Sequence, residues 1–330
     1  MVQPRPLILF FNPVRHALAD YQALGKVADT QTVTSKSREE FFQDLSTKYQ
    51  SAQVIYRTSA SGAVAGNFDK AFIDRLPDSL LTICHNGAGY DQIDTAACKA
   101  RGITLTYAPD PVTEATADLT IFLLLGALRQ LNPGLLRLRQ GNFKKDVGFG
   151  NDPSGKTLGI LGMGRIGKAV AQRARAFGMN IIYYTRTKPT TTEAEEGTYV
   201  GFDELLSTSD VISVHVPLFA ATKHLISKPE IDKMKKGIVI VNTARGAIID
   251  ESAMADALES GHITSVGLDV YEKEPIVNEK LISNERALLV PHLGTHTTET
   301  LAKMERMAME NARRAISGEQ LLTPVPEHCN

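Results

Sequence analysis

The sequence predicts an α/β protein with two parallel sheets, because two series of alternating strand-like and helix-like segments follow one another along the chain. Strands that alternate with helices form a parallel sheet that helices cover on both faces. The two series are separated at 108–115 (APDPVTEA), where Pro109 and Pro111 mark a linker. A length of 330 residues also favours two domains over one.

The first series contains short apolar segments bounded by polar or turn residues, as expected of buried strands. These strand candidates lie at 6–11 (PLILFF), 53–57 (QVIYR), 80–85 (LLTICH) and 103–108 (ITLTYA). Helices are expected near 38–50 and 91–100.

A long helix is expected from about Glu114 to Leu131, and it is apolar around most of its circumference. Such a helix must be buried, either in a core or in an oligomer interface. The tripeptide NPG at 132–134 is expected to stop it. The next segment, 139–155, is rich in glycine and polar residues and predicts an exposed loop or arm.

The second series predicts a dinucleotide-binding sheet, because it contains six strand candidates separated by helical spacers. They lie at 157–162 (TLGILG), 180–185 (NIIYYT), 210–216 (DVISVHV), 237–242 (GIVIVN), 263–270 (ITSVGLDV) and 287–292 (ALLVPH). A last helix is expected from 297 to 317, where apolar residues recur at helical spacing and Gly318 is a natural C-terminal stop.

Charge and cysteine content exclude several classes of function. The 36 basic and 37 acidic residues nearly cancel, which argues against a nucleic-acid or anionic-membrane partner. Cys84, Cys98 and Cys329 form no CxxC pair, and no His/Cys/Asp cluster predicts a metal site. The longest apolar run, 119–128, is about half a membrane span, and the start of the chain lacks a signal-peptide cleavage pattern. We therefore expect a cytoplasmic protein.

The strongest local signal is GMGRIG at 162–167, which follows a strand candidate and opens a predicted helix. Its glycines allow a tight turn and let the backbone approach a pyrophosphate at the helix N-terminus. The alternative is a glycine-rich turn that binds no ligand. The residues assigned to the cofactor here are Gly162, Gly164, Arg165, Ile166 and Gly167.

A second glycine pattern, at 150–157, matches the P-loop of nucleoside triphosphatases. A P-loop needs a strand before it and a helix after it. This segment has an irregular loop before it and a strand candidate after it, so we reject the P-loop interpretation.

The end of the second strand in this series favours NADPH, with NADH possible. NAD enzymes usually place an acidic residue there to bind the ribose hydroxyls. Here the sequence instead offers Thr185, Arg186, Thr187 and Lys188, which can pair with or donate to a 2′-phosphate. The alternatives are a solvated basic turn, or an arginine that lies flat on the adenine and serves either cofactor.

Three residues suited to acid–base chemistry follow three strands of the second series: Arg245, Glu274 and His292. Ligands of open α/β sheets bind beyond the carboxyl ends of strands. A histidine can donate a proton to a carbonyl oxygen, a neighbouring carboxylate raises its pKa, and an arginine can hold a substrate carboxylate. Taken singly, each could be structural; together, beside a cofactor site, they favour a reaction centre.

In the first series, HNGAGYDQID at 85–94 follows a strand and precedes a helix. Its glycines leave backbone N–H groups to form a concavity that suits an anion such as a carboxylate. A plain strand–helix turn is the alternative.

With these motifs the chain resembles the D-isomer-specific 2-hydroxyacid dehydrogenase family over nearly all of its residues. The motifs are NGAGYDQID (86–94), GKTLGILGMGRIGKAVA (155–171), HVPLFAATKHLI (215–226), VNTARGAIIDE (241–251), GLDVYEKEP (267–275) and PHLGTHT (291–297). Glyoxylate/hydroxypyruvate reductases and D-mandelate dehydrogenases are the most similar branches.

The resemblance implies two Rossmann-like domains with the active site in the cleft between them. Residues 1–110 with 298–330 would form a flavodoxin-like substrate domain, and 111–297 a doubly wound dinucleotide-binding domain. The last helix would cross back onto the first domain. Family members are usually dimers, built through the helix and arm that match 114–150 here.

The resemblance also implies roles for individual residues. Arg245 would bind substrate, and Glu274 would support His292 as the general acid–base. The amides of Ala88 and Gly89 would hold the substrate carboxylate, and Asp269 would help to place the nicotinamide. Further cofactor positions implied by the shared motifs are His215, Pro217, Thr243 and Ala244.

The implied activity is reduction of a 2-oxo acid to the D-2-hydroxy acid by hydride transfer from NAD(P)H. Glyoxylate, hydroxypyruvate and aryl or alkyl 2-oxo acids are the candidate substrates. The alternative is a non-catalytic NAD(P)-binding sensor or co-regulator on the same fold.

Overall fold

The computed structural model describes residues 5–188 and 197–329. The chain forms two compact units. The first unit comprises the residues up to Val112 together with the segment from Thr297 onward, and the second comprises Thr113–His296. The boundaries expected from the sequence lie within two residues of these.

The first unit has a five-stranded parallel sheet in the order β2-β1-β3-β4-β5. Its strands are β1 (Leu7–Phe10), β2 (Asp29–Thr32), β3 (Ala52–Arg57), β4 (Thr82–His85) and β5 (Thr104–Thr106). This order is that of flavodoxin-like folds, as predicted. Strand β2 (sequence DTQT) was not predicted, because it is a polar, largely exposed edge strand without an apolar pattern.

Helices cover both faces of this sheet. They are α1 (Leu18–Val27), α2 (Arg38–Leu45), α3 (Gly62–Ala65), α4 (Lys70–Ile73), α5 (Thr95–Ala100) and the C-terminal α13 (Thr298–Ser317). Helix α13 packs on α1, β3 and β4, so the last helix does return to the first unit. Thr297 caps its start by accepting from the N–H of Thr300, and Gly318, at φ +67°, ends it as predicted.

The second unit has a seven-stranded parallel sheet in the order β12-β11-β10-β9-β6-β7-β8. Its strands are β6 (Thr157–Leu161), β7 (Asn180–Tyr184), β8 (Thr198–Tyr199), β9 (Val211–Val214), β10 (Ile238–Asn242), β11 (Ile263–Leu268) and β12 (Ala287–Leu289). The strand order reverses between β6 and β9, which confirms a doubly wound sheet and places a ligand-binding crevice at their carboxyl ends. The two-residue β8 was not predicted.

Helices α6 to α12 belong to the second unit. They are α6 (Thr113–Leu128), α7 (Leu131–Arg139), α8 (Arg165–Ala176), α9 (Phe202–Thr208), α10 (Lys228–Lys233), α11 (Glu251–Ser260) and α12 (Glu279–Ser283). The apolar helix α6 is buried against α8, β10 and β11. Its approach to the sheet requires Gly267, since a Cβ there would lie 2.9 Å from the backbone oxygen of Leu123.

The expected end of the apolar helix was wrong. Helix α6 stops at Leu128, the left-handed Gln130 (φ +53°) turns the chain, and α7 begins at Leu131. The tripeptide 132–134 therefore lies inside α7 and does not terminate α6. Pro133 is tolerated because the first turn of a helix has no acceptor for its backbone N–H.

Between α7 and β6 the chain forms no regular helix or strand, and its side chains are mostly exposed, as predicted for the arm. Within the described ranges, no single helix is long and apolar enough to cross a bilayer. Helices α6 and α7, bent by 75°, reach that length and composition only as a pair.

Candidate active site

The glycine turn after β6 has the geometry that a dinucleotide requires. Gly162 has φ +103°, and a Cβ on it would lie 2.8 Å from the carbonyl carbon of His215. A Cβ on Gly167 would collide with the carbonyl oxygen of Gly162, so this glycine lets α8 pack directly on the turn. By contrast, a Cβ on Gly164 would meet no protein atom within 4 Å. The space beside Gly164 is therefore open to a ligand.

The start of α8 also suits an anion. Gly164 is the N-cap residue and no side chain caps the helix, so the first-turn N–H groups are not screened by a capping oxygen. Arg165 is exposed and Ile166 half-buried at this terminus. A pyrophosphate fits this arrangement of glycines and helix start. The segment 150–157 has no helix after it and runs into β6, which confirms rejection of the P-loop.

The described part of the turn after β7, residues 185–188, carries two basic side chains and no carboxylate. The guanidinium carbon of Arg186 lies 5.8 Å from the ring centroid of Phe219, and Nζ of Lys188 lies 5.7 Å from that of Tyr199. Thr185 Oγ1 donates to the carbonyl oxygen of Thr187 at 2.9 Å. The single hydroxyl proton of Thr185 is thus used within the turn, whereas the sequence suggested that it could donate to a phosphate.

Two further expected cofactor positions follow β9. His215 has its Nε2 2.7 Å from Ser213 Oγ, and burial lowers the pKa of His215 to about 3, so its ring is neutral. The carbonyl oxygen of Pro217 accepts from Thr222 Oγ1 at 2.7 Å.

The other two, Thr243 and Ala244, follow β10. Thr243 Oγ1 lies 2.8 Å from Thr120 Oγ1 in the core, and the N–H of Ala244 donates to Asn242 Oδ1 at 3.0 Å. The Thr243 hydroxyl is thus paired with helix α6, and the Ala244 amide is paired within its own turn.

His292 and Glu274 form a hydrogen-bonded pair at the carboxyl edge of the second sheet. His292 Nδ1 lies 2.8 Å from Glu274 Oε2, and Glu274 Oε1 accepts from the N–H of Tyr271 at 3.0 Å. Because a carboxylate only accepts, Nδ1 carries the proton, and Nε2 is the ring nitrogen left for another molecule. His292 has φ +53°, which is uncommon for a non-glycine residue.

The pair favours its charged form. The hydrogen bond that His292 donates to Glu274 raises the pKa of His292 above its ordinary value, against the opposing effects of burial and of the Arg245 charge. Burial alone would raise the pKa of Glu274. The hydrogen bonds from His292 and from the Tyr271 amide outweigh burial, so the pKa of Glu274 is lowered. His292 is therefore poised as a protonated acid, with Glu274 as its counter-ion.

Arg245 joins this pair from the turn after β10. Its carbonyl oxygen accepts from Asn242 Nδ2 at 2.9 Å, and its guanidinium donates to the carbonyl oxygen of Ala244 at 2.8 Å. The positive charge of Arg245 contributes to the lowered pKa of Glu274. The same charge partly offsets the raised pKa of His292. The structure therefore brings together the three residues that the sequence grouped from distant positions.

Asp269, at the end of β11, is almost fully buried and holds the loop that carries His292. Its carboxylate accepts from the N–H groups of Leu293 and Gly294, and its carbonyl oxygen accepts from the N–H of His292 at 2.8 Å. Burial is the main cause that raises the pKa of Asp269. The family resemblance gave no hint of this contact, because backbone donors leave no mark in a sequence.

In the first unit, the loop after β4 presents the expected backbone donors. Among the described residues, the N–H groups of Ala88 and Gly89 donate to no protein acceptor. His85 Nε2 lies 2.9 Å from the carbonyl oxygen of Gly89 and therefore donates to it. A Cβ on Gly87 would lie 2.5 Å from the same nitrogen, so the loop folds directly over His85. The place of His85 immediately before NGAGY is the sequence signal for this contact.

No group of three or more His, Cys, Asp or Glu side chains that could hold a metal occurs in the described part of the chain.

Residues 121–294, more than half of the chain, match the family described as D-isomer specific 2-hydroxyacid dehydrogenase, NAD binding domain. The chain belongs to this family. It is accordingly an enzyme of the 2-hydroxyacid dehydrogenase type with an NAD(P)-binding domain. The residues that match include the glycine turn, Arg245, Glu274 and His292.

Relatives of this family resemble the chain over almost its whole length. The 4-methyl-2-oxopentanoate reductase A of Aspergillus oryzae is 45% identical, covering 98% of this chain and 99% of the relative. A solved glyoxylate reductase from Paecilomyes thermophila is 48% identical, covers 99% of this chain and 100% of its own, and has a TM-score of 0.95.

Two further 2-hydroxyacid dehydrogenase structures are more distant in sequence. The holo D-mandelate dehydrogenase of Rhodotorula graminis is 32% identical, covers 98% of both chains and has a TM-score of 0.93. An NADPH-dependent glyoxylate/hydroxypyruvate reductase from Sinorhizobium meliloti, in complex with NADP and malonate, is 31% identical, covers 98% of this chain and 97% of its own, and has a TM-score of 0.85. Both branches named from the sequence are thus represented among the relatives.

Proposed function

We propose that this 2-hydroxyacid dehydrogenase reduces a 2-oxo acid to the D-2-hydroxy acid, with His292 as the proton donor. The observation that carries the proposal is the pairing of His292 with Glu274 beside Arg245. The relatives described above are enzymes by name, and nothing among them favours the non-catalytic sensor, which we do not retain.

A bound nicotinamide cofactor would supply the hydride that the carbonyl carbon of the substrate accepts. His292 Nε2 gives a proton to the carbonyl oxygen, while Glu274 stabilises the charged ring and fixes its orientation. The planar guanidinium of Arg245 binds the substrate carboxylate and polarises the carbonyl. In the first unit, the backbone N–H groups of Ala88 and Gly89 are the proposed donors to a substrate carboxylate.

The proposed substrates are glyoxylate, hydroxypyruvate and larger alkyl or aryl 2-oxo acids. The relatives support this range, since their names include glyoxylate, hydroxypyruvate, 4-methyl-2-oxopentanoate and D-mandelate. An absorbance assay of NADPH oxidation with glyoxylate, hydroxypyruvate, phenylpyruvate and benzoylformate tests the proposal. Turnover of at least one 2-oxo acid is expected, and turnover of none would return the sensor to consideration.

NADPH is the proposed preferred cofactor, and NADH remains usable. Support comes from residues 185–188, directly after β7, which offer Arg186 and Lys188 and include no acidic residue. The 2′-phosphate carries nearly two negative charges and pairs well with a guanidinium. The relative from Sinorhizobium meliloti is named as NADPH-dependent.

We further propose a homodimer through residues near 114–150, located in the cytoplasm. Exposed apolar side chains lie on α7 and the arm: Leu131, Leu135, Leu138, Phe143 and Phe149. Large exposed apolar patches commonly mark protein interfaces. The cytoplasmic location rests on the sequence composition alone.

A further inference from the structure

Glu251, the first residue of α11, holds two backbone groups with one buried carboxylate. Only 8% of the residue is exposed. Its Oε2 accepts from the N–H of Glu272 at 2.8 Å, and its Oε1 accepts from the N–H of Asn278 at 2.9 Å. A buried carboxylate is costly unless hydrogen bonds compensate it. These two amides, together with the N-terminal dipole of α11, supply that compensation.

The two amides lie on either side of Glu274 in the chain. The segment 272–278 follows β11 after three intervening residues, carries Glu274, and leads into α12. Within it, the N–H of Ile276 donates to the carbonyl oxygen of Lys273 at 2.9 Å. Both ends of the loop are therefore anchored to a single carboxylate, and Glu274 lies between the anchors.

The same loop also contacts the turn that follows Arg245. A Cβ on Gly246 would collide with the carbonyl carbon of Tyr271 and approach the amide nitrogen of Glu272, so these two backbones touch directly. The Gly246 turn leads, within a few residues, to Glu251. Glu251 thus fixes the Glu274 loop against the segment that presents Arg245.

We propose that Glu251 is a positioning residue of the reaction, which acts by holding the Glu274 loop so that Glu274 stays hydrogen-bonded to His292. This inference rests on the proposed roles of His292 and Glu274. It assigns to Glu251 no contact with substrate or cofactor.

The charged groups around His292 and Glu274 determine how the pH dependence of reduction should change. His292 interacts electrostatically with Glu274, Arg245 and Asp269. Tyr271 interacts with Asp269, Glu274 and Glu251, and burial is the main cause that raises its pKa. If Glu274 is held less firmly, it raises the pKa of His292 less, while the positive charge of Arg245 still lowers it. The alkaline limit of reduction must then move to lower pH.

The first experiment is the pH dependence of kcat for Glu251→Gln. Glutamine keeps the shape of the side chain but has only one acceptor oxygen. Its NH₂ group would face one of the two backbone N–H groups, so one of the two hydrogen bonds is lost. The alkaline limit should fall by about half to one pH unit, the shift expected from one weakened hydrogen bond. The KM for the cofactor should stay within about twofold, a change of less than 0.5 kcal/mol in binding.

Glu305→Gln is the matched control. Glu305, on α13 in the first unit, is also a buried carboxylate, and it accepts from the N–H groups of Arg15, His16 and Ala17. Its substitution should lower the thermal midpoint as Glu251→Gln does, yet leave the pH limit of kcat in place. A purely structural role for Glu251 predicts the same pattern for both variants, and that result would overturn the inference.

The double variant Glu251→Gln, Glu274→Gln separates the inference from the proposed function. If Glu251 acts through Glu274, its substitution should cause no further pH shift once Glu274 is replaced. If the pH limit shifts with Glu274→Gln but not with Glu251→Gln, only the role of Glu251 is rejected. No shift with Glu274→Gln rejects the proposed catalytic pair itself. Should Glu251→Gln not fold, Glu251→Asp keeps the charge and shortens the reach, and it should give a smaller shift in the same direction.

Discussion

His292 Nδ1 lies 2.8 Å from Glu274 Oε2, and the chain reaches this contact with His292 in a left-handed backbone conformation. Asp269 imposes that conformation by binding the N–H groups of the two residues after His292. His292 is therefore held at two places. Glu274 binds Nδ1 of its ring, and Asp269 binds the backbone that carries it. Nε2 remains the nitrogen that can exchange a proton with a substrate.

Replacement of Glu274 by glutamine should shift the pH profile of reduction. Glu274 raises the pKa of His292, and the protonated ring is the form that donates a proton. Activity in the reductive direction is present below this pKa and is lost as the pH rises through it. Glu274→Gln lowers the pKa of His292, so the alkaline limit of kcat should move to lower pH. An unchanged profile would show that the carboxylate does not set the protonation of His292.

Replacement of His292 by alanine should abolish most turnover while leaving the fold intact. A general acid–base residue typically contributes about 10²–10⁴-fold to the rate. The side chain of His292 is 48% exposed, so its removal creates no core cavity. Cofactor binding, followed by the fluorescence of NADPH, should persist. A variant with near-normal kcat would remove His292 from the mechanism.

Gly164→Ala and Gly162→Ala should fail in different ways. A Cβ on Gly164 meets no protein atom, so this variant should keep its thermal midpoint but lose about tenfold or more in NADPH affinity. Gly162 has φ +103°, and a Cβ on it would meet the backbone of His215. The Gly162→Ala variant should therefore lose about 1–3 kcal/mol of folding stability. Calorimetry and cofactor titration of both proteins separate the two effects. Normal affinity in a folded Gly164→Ala would argue against a pyrophosphate at this turn.

Thr185→Asp combined with Arg186→Ala should convert the cofactor preference. Each charged contact to the 2′-phosphate is worth about 1.5–3 kcal/mol, so loss of Arg186 should raise the KM for NADPH about ten- to a hundredfold. The new aspartate repels the phosphate and can bind the ribose hydroxyls of NADH. The measurement is kcat/KM for both cofactors on wild type and variant. A wild type with equal values, or with a preference for NADH, contradicts the proposed role of Arg186.

Light scattering at micromolar concentration should give the mass of a dimer. The reason is the row of exposed apolar side chains on α7, with Leu135 and Leu138 among them. Leu135→Glu should shift the mass toward the monomer. Leu18→Glu, which replaces a similarly exposed leucine in the first unit, should leave the mass unchanged. A monomeric wild type would reject the proposed interface.

The two sheets and the reacting side chains could be predicted because apolar periodicity and residue type identify them directly. Leu158 to Leu161 and Ile238 to Val241 are continuous apolar runs, and buried parallel strands look like this in any sequence. Strand β2 escaped prediction because an edge strand with exposed polar residues carries no such pattern. The break at Gln130 was not predicted because a left-handed residue between two helical segments has no compositional signature.

The supporting shell of the site was harder to predict, for a different physical reason. Asp269, Glu251 and His85 all bind backbone groups, and any residue offers the same backbone N–H and carbonyl. Their partners therefore leave no trace in residue identity. Arg245, Glu274 and His292 were predictable because their chemistry lies in their own side chains.

The placement of α13 has a consequence for how the chain is made. The second unit is continuous in sequence, so it can fold as soon as it has left the ribosome. The first unit cannot, because Glu305 of α13 binds the amides of His16 and Ala17 almost three hundred residues upstream. Domains usually fold from the N-terminus during synthesis. Here we expect the opposite order, in which the N-terminal unit is completed only after the last helix has been translated.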